Sequence, residues 1–130
     1  MIKKWWHKLF KTEAHEGIET PVNESARFVL AYDDLEIGTL MLNEGEWVFA
    51  YSEAFKNQTK VNPLVNFPSK EKIYRSTELW PFFLHRIPGL GQPRVQNIIR
   101  KEQIDPGNAA ALLRRFGERT ITNPFRLRVG

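Results

Sequence analysis

The chain contains no cysteine, which removes disulfides, a thiolate nucleophile and cysteine-ligated zinc from consideration. Histidine is scarce, with His7, His15 and His85 scattered along the sequence, so neither a catalytic metal centre nor a bound cofactor is expected. No apolar run approaches the ~20 residues that a membrane-spanning helix needs. The usual catalytic signatures are missing as well. No serine sits in a G-x-S-x-G turn, and no glycine-rich stretch ends in the lysine and serine or threonine of a Walker loop. Gly89-Leu90-Gly91 begins like a dinucleotide-binding fingerprint, but Arg94 stands where the third glycine belongs. His85-Arg86 lacks the aspartate of a kinase catalytic loop, and there is no D-F-G. Asp33-Asp34 with Glu36 could pair carboxylates, but an aspartate-rich hairpin turn is the ordinary reading. The expectation is a protein that is not an enzyme.

At 130 residues the chain is one domain's worth, and hydrophobic residues at 42% with aromatics at 12% supply a real core. A fold of this size buries roughly two-thirds of its unfolded surface, so wholesale disorder is excluded. A small soluble binding module, in the cytoplasm by default, fits this arithmetic.

The net charge of +4 conceals an uneven distribution. Residues 1–11 carry four lysines and no acid, residues 12–85 carry six basic and twelve acidic side chains, and residues 86–130 carry nine basic and three acidic. Such a split is either an uneven solvated surface or the mark of two faces that meet different partners.

The opening MIKKWWHKLFK is not a secretory signal, because His7 and Lys8 interrupt its apolar residues and no small-residue cleavage site follows. Trp5, Trp6, Leu9 and Phe10 instead form a helical apolar stripe with Lys3, Lys4, Lys8 and Lys11 around it. Packing on its own domain or docking to a partner is expected of it, and membrane association is not. Residues 12–25 are polar without period and read as a linker. The domain proper is expected over residues 26–130, after this basic amphipathic segment and linker at 1–25.

ARFVLAY alternates, with Phe28, Leu30 and Tyr32 on one face. Asp33-Asp34 makes a tight connection to EIGTLML, where Ile37, Thr39 and Met41 alternate with Gly38, Leu40 and Leu42. Asn43-Glu44-Gly45-Glu46 reads as a longer turn, leading into WVFAY with Trp47, Phe49 and Tyr51 aligned. These aromatics are read as core rather than as a stacking platform for bases. Beyond Ser52, Pro63 and Pro68 break the pattern, VNPLVNFP looks extended and edge-like, and KIYR offers a short fourth strand.

Ser76 or Thr77 can cap a short helix in which Leu79, Phe82, Phe83 and Arg86 recur at helical spacing, with Pro81 in its first turn. Pro93 opens a helix with Val95, Ile98 and Ile99 on one face. Asp105 is a candidate N-cap for a helix through Leu112, Leu113 and Phe116, ended by Gly117. The tail offers a last strand, with Ile121, Phe125 and Leu127 pointing inward. The fold class expected is α+β: a small antiparallel sheet, made of a meander and a returning C-terminal strand, packed with short helices.

Two surfaces attract a functional reading. Arg94, Arg100, Lys101, Arg114, Arg115, Arg119, Arg126 and Arg128 could form a basic face for phosphates or for acidic residues of a protein partner; no helix-turn-helix or zinc signature accompanies them. Trp80, between Leu79 and Pro81 in TELWPFF, is either buried or an interface anchor, and the pattern leaves that open.

The order FVLAYDDLEIGTLMLNEGEWVFAY, ELWPFF, RIP and DPGNAAALLRRFG resembles the amino-terminal subdomain of HipA-type serine/threonine kinase toxins, over roughly residues 26–128. The G-x-L of the meander, the E-L-x-x-F-F helix and the leucine-rich D-P segment carry the resemblance. Ile87-Pro88-Gly89-Leu90-Gly91 departs from the L-P-E-G that usually follows in full-length kinases, and the kinase core is absent. A free-standing copy of this subdomain is similar to the HipS-type antitoxins of HipB–HipS–HipT systems. The resemblance implies that the chain docks on a HipT-like kinase in a complex with a HipB-like DNA-binding protein, nucleic acid being reached through that complex. It also implies that Trp80 enters the kinase's nucleotide site, with Glu78, Leu79, Pro81, Phe82, Phe83 and Arg86 around it as partner-binding residues.

Overall fold

The alternation of apolar and polar residues from Ala26 to Tyr51 folds as an antiparallel meander, β1 (Ala26–Tyr32), β2 (Leu35–Asn43) and β3 (Glu46–Tyr51). This computed structural model describes residues 15–130; the apolar stripe of Trp5, Trp6, Leu9 and Phe10 lies outside the described residues. Both hairpin turns are two residues long. Glu44 and Gly45 both take positive φ, at 50° and 76°. That pair of conformations gives a tight hairpin turn whose twist matches its strands, in place of the longer turn expected.

Two further strands complete the sheet. β4 (Tyr74–Ser76) pairs with β3, and β5 (Arg126–Val129) returns to pair with β1, giving the order β4-β3-β2-β1-β5 with every pairing antiparallel. Among the described residues four short helices accompany it: α1 (Glu53–Lys56), α2 (Pro81–Leu84), α3 (Pro93–Lys101) and α4 (Ala109–Phe116). The fold is therefore α+β. One face of the sheet is sealed, with Phe28, Leu30, Leu40, Leu42, Trp47 and Phe49 all at 1% exposure or less. Leu112 and Leu113 of α4, Phe83 of α2 and Phe55 of α1 join that core.

A register shift between Leu30 and Ala31 inserts Ile37 as an extra residue on β2, opposite the Leu30–Ala31 step. The bulge buries Ile37 beside Gly38 and so breaks the strict alternation expected of β2. Tyr32, at the end of β1, is exposed and rests its ring edge against Phe125. Gly38 is required by space: a Cβ there would stand 2.5 Å from the Ala50 carbonyl oxygen and 2.8 Å from Phe49 Cζ.

Several ends differ from expectation. The residue capping α2 is Trp80, one before Pro81, while Ser76 accepts instead from the Glu78 amide in the preceding turn. The cap of α4 is Asn108, whose Oδ1 accepts from Ala111 N at 3.0 Å; Asp105 makes its own turn, accepting from Gly107 N. Asparagine wins because α4 begins three residues later than the D-P pair indicates. Helix α1, capped by Ser52, has no counterpart in the sequence reading. Ile121 points outward and is fully exposed at the tip of the 117–125 loop, whereas Leu127 is buried as expected.

Residues 15–25, read as linker, are laid against the domain. Glu19 bridges Asn108 in parallel, and its amide donates to Gly107 O at 2.7 Å. Thr20 Oγ1 donates to Thr77 O and accepts from the buried Trp47 indole at 2.8 Å. This gives Trp47 the partner that a buried N–H requires. His15 Nε2 lies 2.6 Å from Ile87 O, and its ring stacks on His85.

Candidate functional site

Trp80 stands at the rim of the core, where β4 gives way to α2. Its backbone is extended (φ −64°, ψ 149°) and Pro81 occupies the first helical position. Proline fixes its own φ, and it biases the residue before it toward extended backbone, so Pro81 holds the direction in which Trp80 leaves the chain. The indole is half-buried, neither sealed nor free. One side meets the ring of Phe67 edge-on, with centroids 4.9 Å apart.

The neighbouring residues divide by depth. Leu79 and Phe83 are core, Phe83 packing on Phe49 and Phe67. Glu78 and Pro81 are exposed, and Phe82 is half-buried. Arg86 is 3% exposed and touches no carboxylate among the described residues. Its guanidinium spans the gap from α2 to the 117–125 loop, donating to the carbonyls of Gly117 (2.6 Å), Glu118 (3.1 Å) and Phe125 and reaching Asn123 Oδ1. Burial pushes it down to about 10, so it remains a cation at neutral pH, held by oxygen dipoles. Helical spacing set Arg86 with Leu79, Phe82 and Phe83; in the fold it is a strut that fixes Phe125 against Phe82, their rings 6.0 Å apart.

Alongside this turn runs an open groove of about 500 Å³, lined by residues including Val61, Pro63, Val65, Asn66, Phe82 and Phe125. Asn66 Oδ1 accepts from the Phe82 amide at 3.0 Å, tying the groove's wall to α2. Val65 and Asn66 escaped the sequence reading because their placement comes from loop hydrogen bonds and leaves no periodicity.

The basic residues do not form one free face. Arg115 is bound to Glu102 at 2.8 Å, Arg126 to Glu118 at 2.6 Å, and Arg119 and Arg114 lie 3.9 Å from Glu118 and Glu24. Arg94, Lys101 and Arg128 have no such ion pair among the described residues. Among the described residues, no group of three or more histidines or carboxylates is arranged to hold a metal, and no helix is long and apolar enough to cross a membrane.

The HipA N-terminal domain family matches residues 29–122, from β1 to the loop before β5. The chain belongs to that family. No curated protein matches it significantly. The match takes in the meander, the Trp80 turn, α2 and α4, so Trp80 and Phe82 lie within the HipA N-terminal domain, while Phe125 on the wall of the groove lies beyond the matched residues. Membership sets the chain in a HipA-related toxin–antitoxin context, and the HipA N-terminal domain is a non-catalytic subdomain.

Proposed function

We propose that this HipA N-terminal domain is an antitoxin subunit that binds a HipT-like serine/threonine kinase and inhibits it, with Trp80 inserted at or near the kinase's nucleotide site. The observation that carries the reading is the seat of Trp80: a large planar ring at the protein surface, on an extended residue immediately before a proline that begins a helix. Nucleotide pockets are apolar slots shaped for a planar base, and tryptophan is the side chain that most often anchors an interface. Insertion requires the ring to swing away from Phe67, giving up an edge-on contact of about 0.5–1.5 kcal/mol, which burial in a pocket exceeds.

Within this reading the seven residues take different parts. Glu78, Trp80, Pro81 and Phe82 offer contact surface, while Leu79, Phe83 and Arg86 hold that surface in place from inside. A HipB-like DNA-binding protein completes the complex, and the residual basic surface at Arg94, Lys101 and Arg128 faces acidic protein or DNA within it.

The test is autophosphorylation of a HipT-like kinase, titrated with the wild-type protein and with Trp80→Ala. Silencing by the wild type, with a variant that binds but does not silence, is the expected result. Equal inhibition by both places the inhibitory contact elsewhere, and failure of both to bind removes the antitoxin reading.

A further inference from the structure

The loop that walls the groove beside Trp80 is irregular, yet it is held by a dense set of side-chain bonds. Gln58 Nε2 donates to the carbonyls of Phe55 and Val61, both at 3.0 Å, and its Oε1 accepts from Val61 N at 2.8 Å. The buried Tyr51 hydroxyl accepts from Leu64 N at 2.8 Å and donates to Phe67 O at 2.6 Å. Asn66 then fastens the loop to α2 through the Phe82 amide. What this pinned loop presents is Val65, 94% exposed. A lone exposed valine is ordinary. A valine held rigidly beside a groove floored by two half-buried phenylalanines is a different matter, because a preformed surface loses little conformational entropy on binding.

The groove's chemistry limits what can fill it. None of its lining residues is charged, although charged residues make up 26% of the chain. Apart from Asn62 and Asn66 its side chains are apolar, and it offers no opposite charge, so a charged occupant would give up hydration there without an ionic partner while an apolar one gains contact. The groove is also continuous with the Trp80 turn, since Phe82 belongs to both.

From this geometry we infer that the groove receives an uncharged apolar side chain of the same kinase, so that the two proteins exchange anchors. Trp80 goes outward into the kinase, and an apolar residue of the kinase comes inward between Val65, Phe82 and Phe125. The inference rests on the kinase-binding reading and deepens it: Trp80 accounts for inhibition, and the groove accounts for affinity.

Binding of the kinase, measured by calorimetry with full-length wild-type protein, Val65→Asp, Val65→Ser and Val22→Asp, separates the two. Val65 is exposed, so its variants keep the fold, and Val22, 66% exposed and outside the groove, is the control. The expected result is a dissociation constant raised about tenfold or more by the aspartate and severalfold by the serine, with Val22→Asp near wild type. Wild-type affinity in both Val65 variants overturns the groove while leaving the inhibition reading standing. Weakening by the aspartate alone also overturns it, since an apolar pocket must register the loss of two methyl groups. A wild-type protein that does not bind the kinase overturns the reading on which the groove rests.

Discussion

The ring of Trp80 meets that of Phe67 at an interplanar angle of 79°, and Phe67 in turn stacks on Phe49 at 4.3 Å in the middle of the core. The proposed inhibitory residue is thus seated on the end of a buried aromatic stack, which fixes its resting position without sealing it. Trp80→Ala removes only a half-buried ring, so it is expected to cost about 1–2 kcal/mol, below the 3–5 kcal/mol typical of a core aromatic. Urea denaturation followed by circular dichroism checks this, and a folded variant is what allows its kinase phenotype to be read as a contact effect.

Arg86 ties α2 to the 117–125 loop through three backbone carbonyls. Arg86→Met removes the guanidinium donor from the Gly117 and Phe125 carbonyls and leaves Glu118 O with the Leu127 amide alone, and is expected to destabilise the fold by about 2–4 kcal/mol. Arg86→Lys does not rescue it, because one ammonium cannot span acceptors that a planar guanidinium reaches together. Thermal melting gives the loss, and faster amide exchange at Leu127, whose N–H is bonded to Glu118 O, shows that the loop has come free.

Gly38 faces the Ala50 carbonyl and the Phe49 ring with no room for a methyl group. Gly38→Ala forces β2 and β3 apart or displaces Phe49, at about 1–3 kcal/mol. Because Phe49 underlies the Phe67–Trp80 stack, denaturation and the emission of the tryptophans are both expected to shift.

The Glu118 carboxyl is lowered from its ordinary value because it accepts from the Arg126 guanidinium, with the charges of Arg126 and Arg119 assisting. A carboxylate with a depressed folded-state pKa stabilises above its unfolded value, and that contribution fades as pH falls through the folded one. Glu118→Gln is therefore expected to lower the melting temperature slightly at pH 7, with the difference from wild type shrinking as the pH is taken into the acid range. A difference that persists or grows in acid contradicts this. Glu102, held down by its hydrogen bond from Arg115, is expected to behave in the same way.

Much of the sheet was legible because it rests on signals that sequence carries. Period-two alternation gave β1 to β3, and the stripe of Leu112, Leu113 and Phe116 gave α4. The aromatics Trp47 and Phe49 are core, as their alignment indicated. What escaped depends on contacts distant in sequence. The bulge at Ile37 is set by cross-strand pairing, and the order of the 57–73 stretch comes from the bonds of Gln58 and Tyr51 to loop backbone and of Asn66 to the Phe82 amide of α2. Arg86 was set at helical spacing with Leu79, Phe82 and Phe83, and its role as a strut stayed hidden because its acceptors lie 31 to 39 residues further on. For the same reason the site was half visible: ELWPFF singled out Trp80 and the tail pattern turned Phe125 inward, but nothing local announced Val65 or the groove that Phe125 and Phe82 share with it.

Closure of a HipT-like kinase's nucleotide site by Trp80 is the step on which the proposed inhibition depends. Its most direct test is displacement of a fluorescent ATP analogue from that kinase by this protein. The account predicts stoichiometric displacement by the wild type, and retention of the analogue when Trp80→Ala is bound instead. Displacement by Trp80→Ala to the same extent, or a complex in which wild-type protein and nucleotide occupy the kinase together, would contradict it.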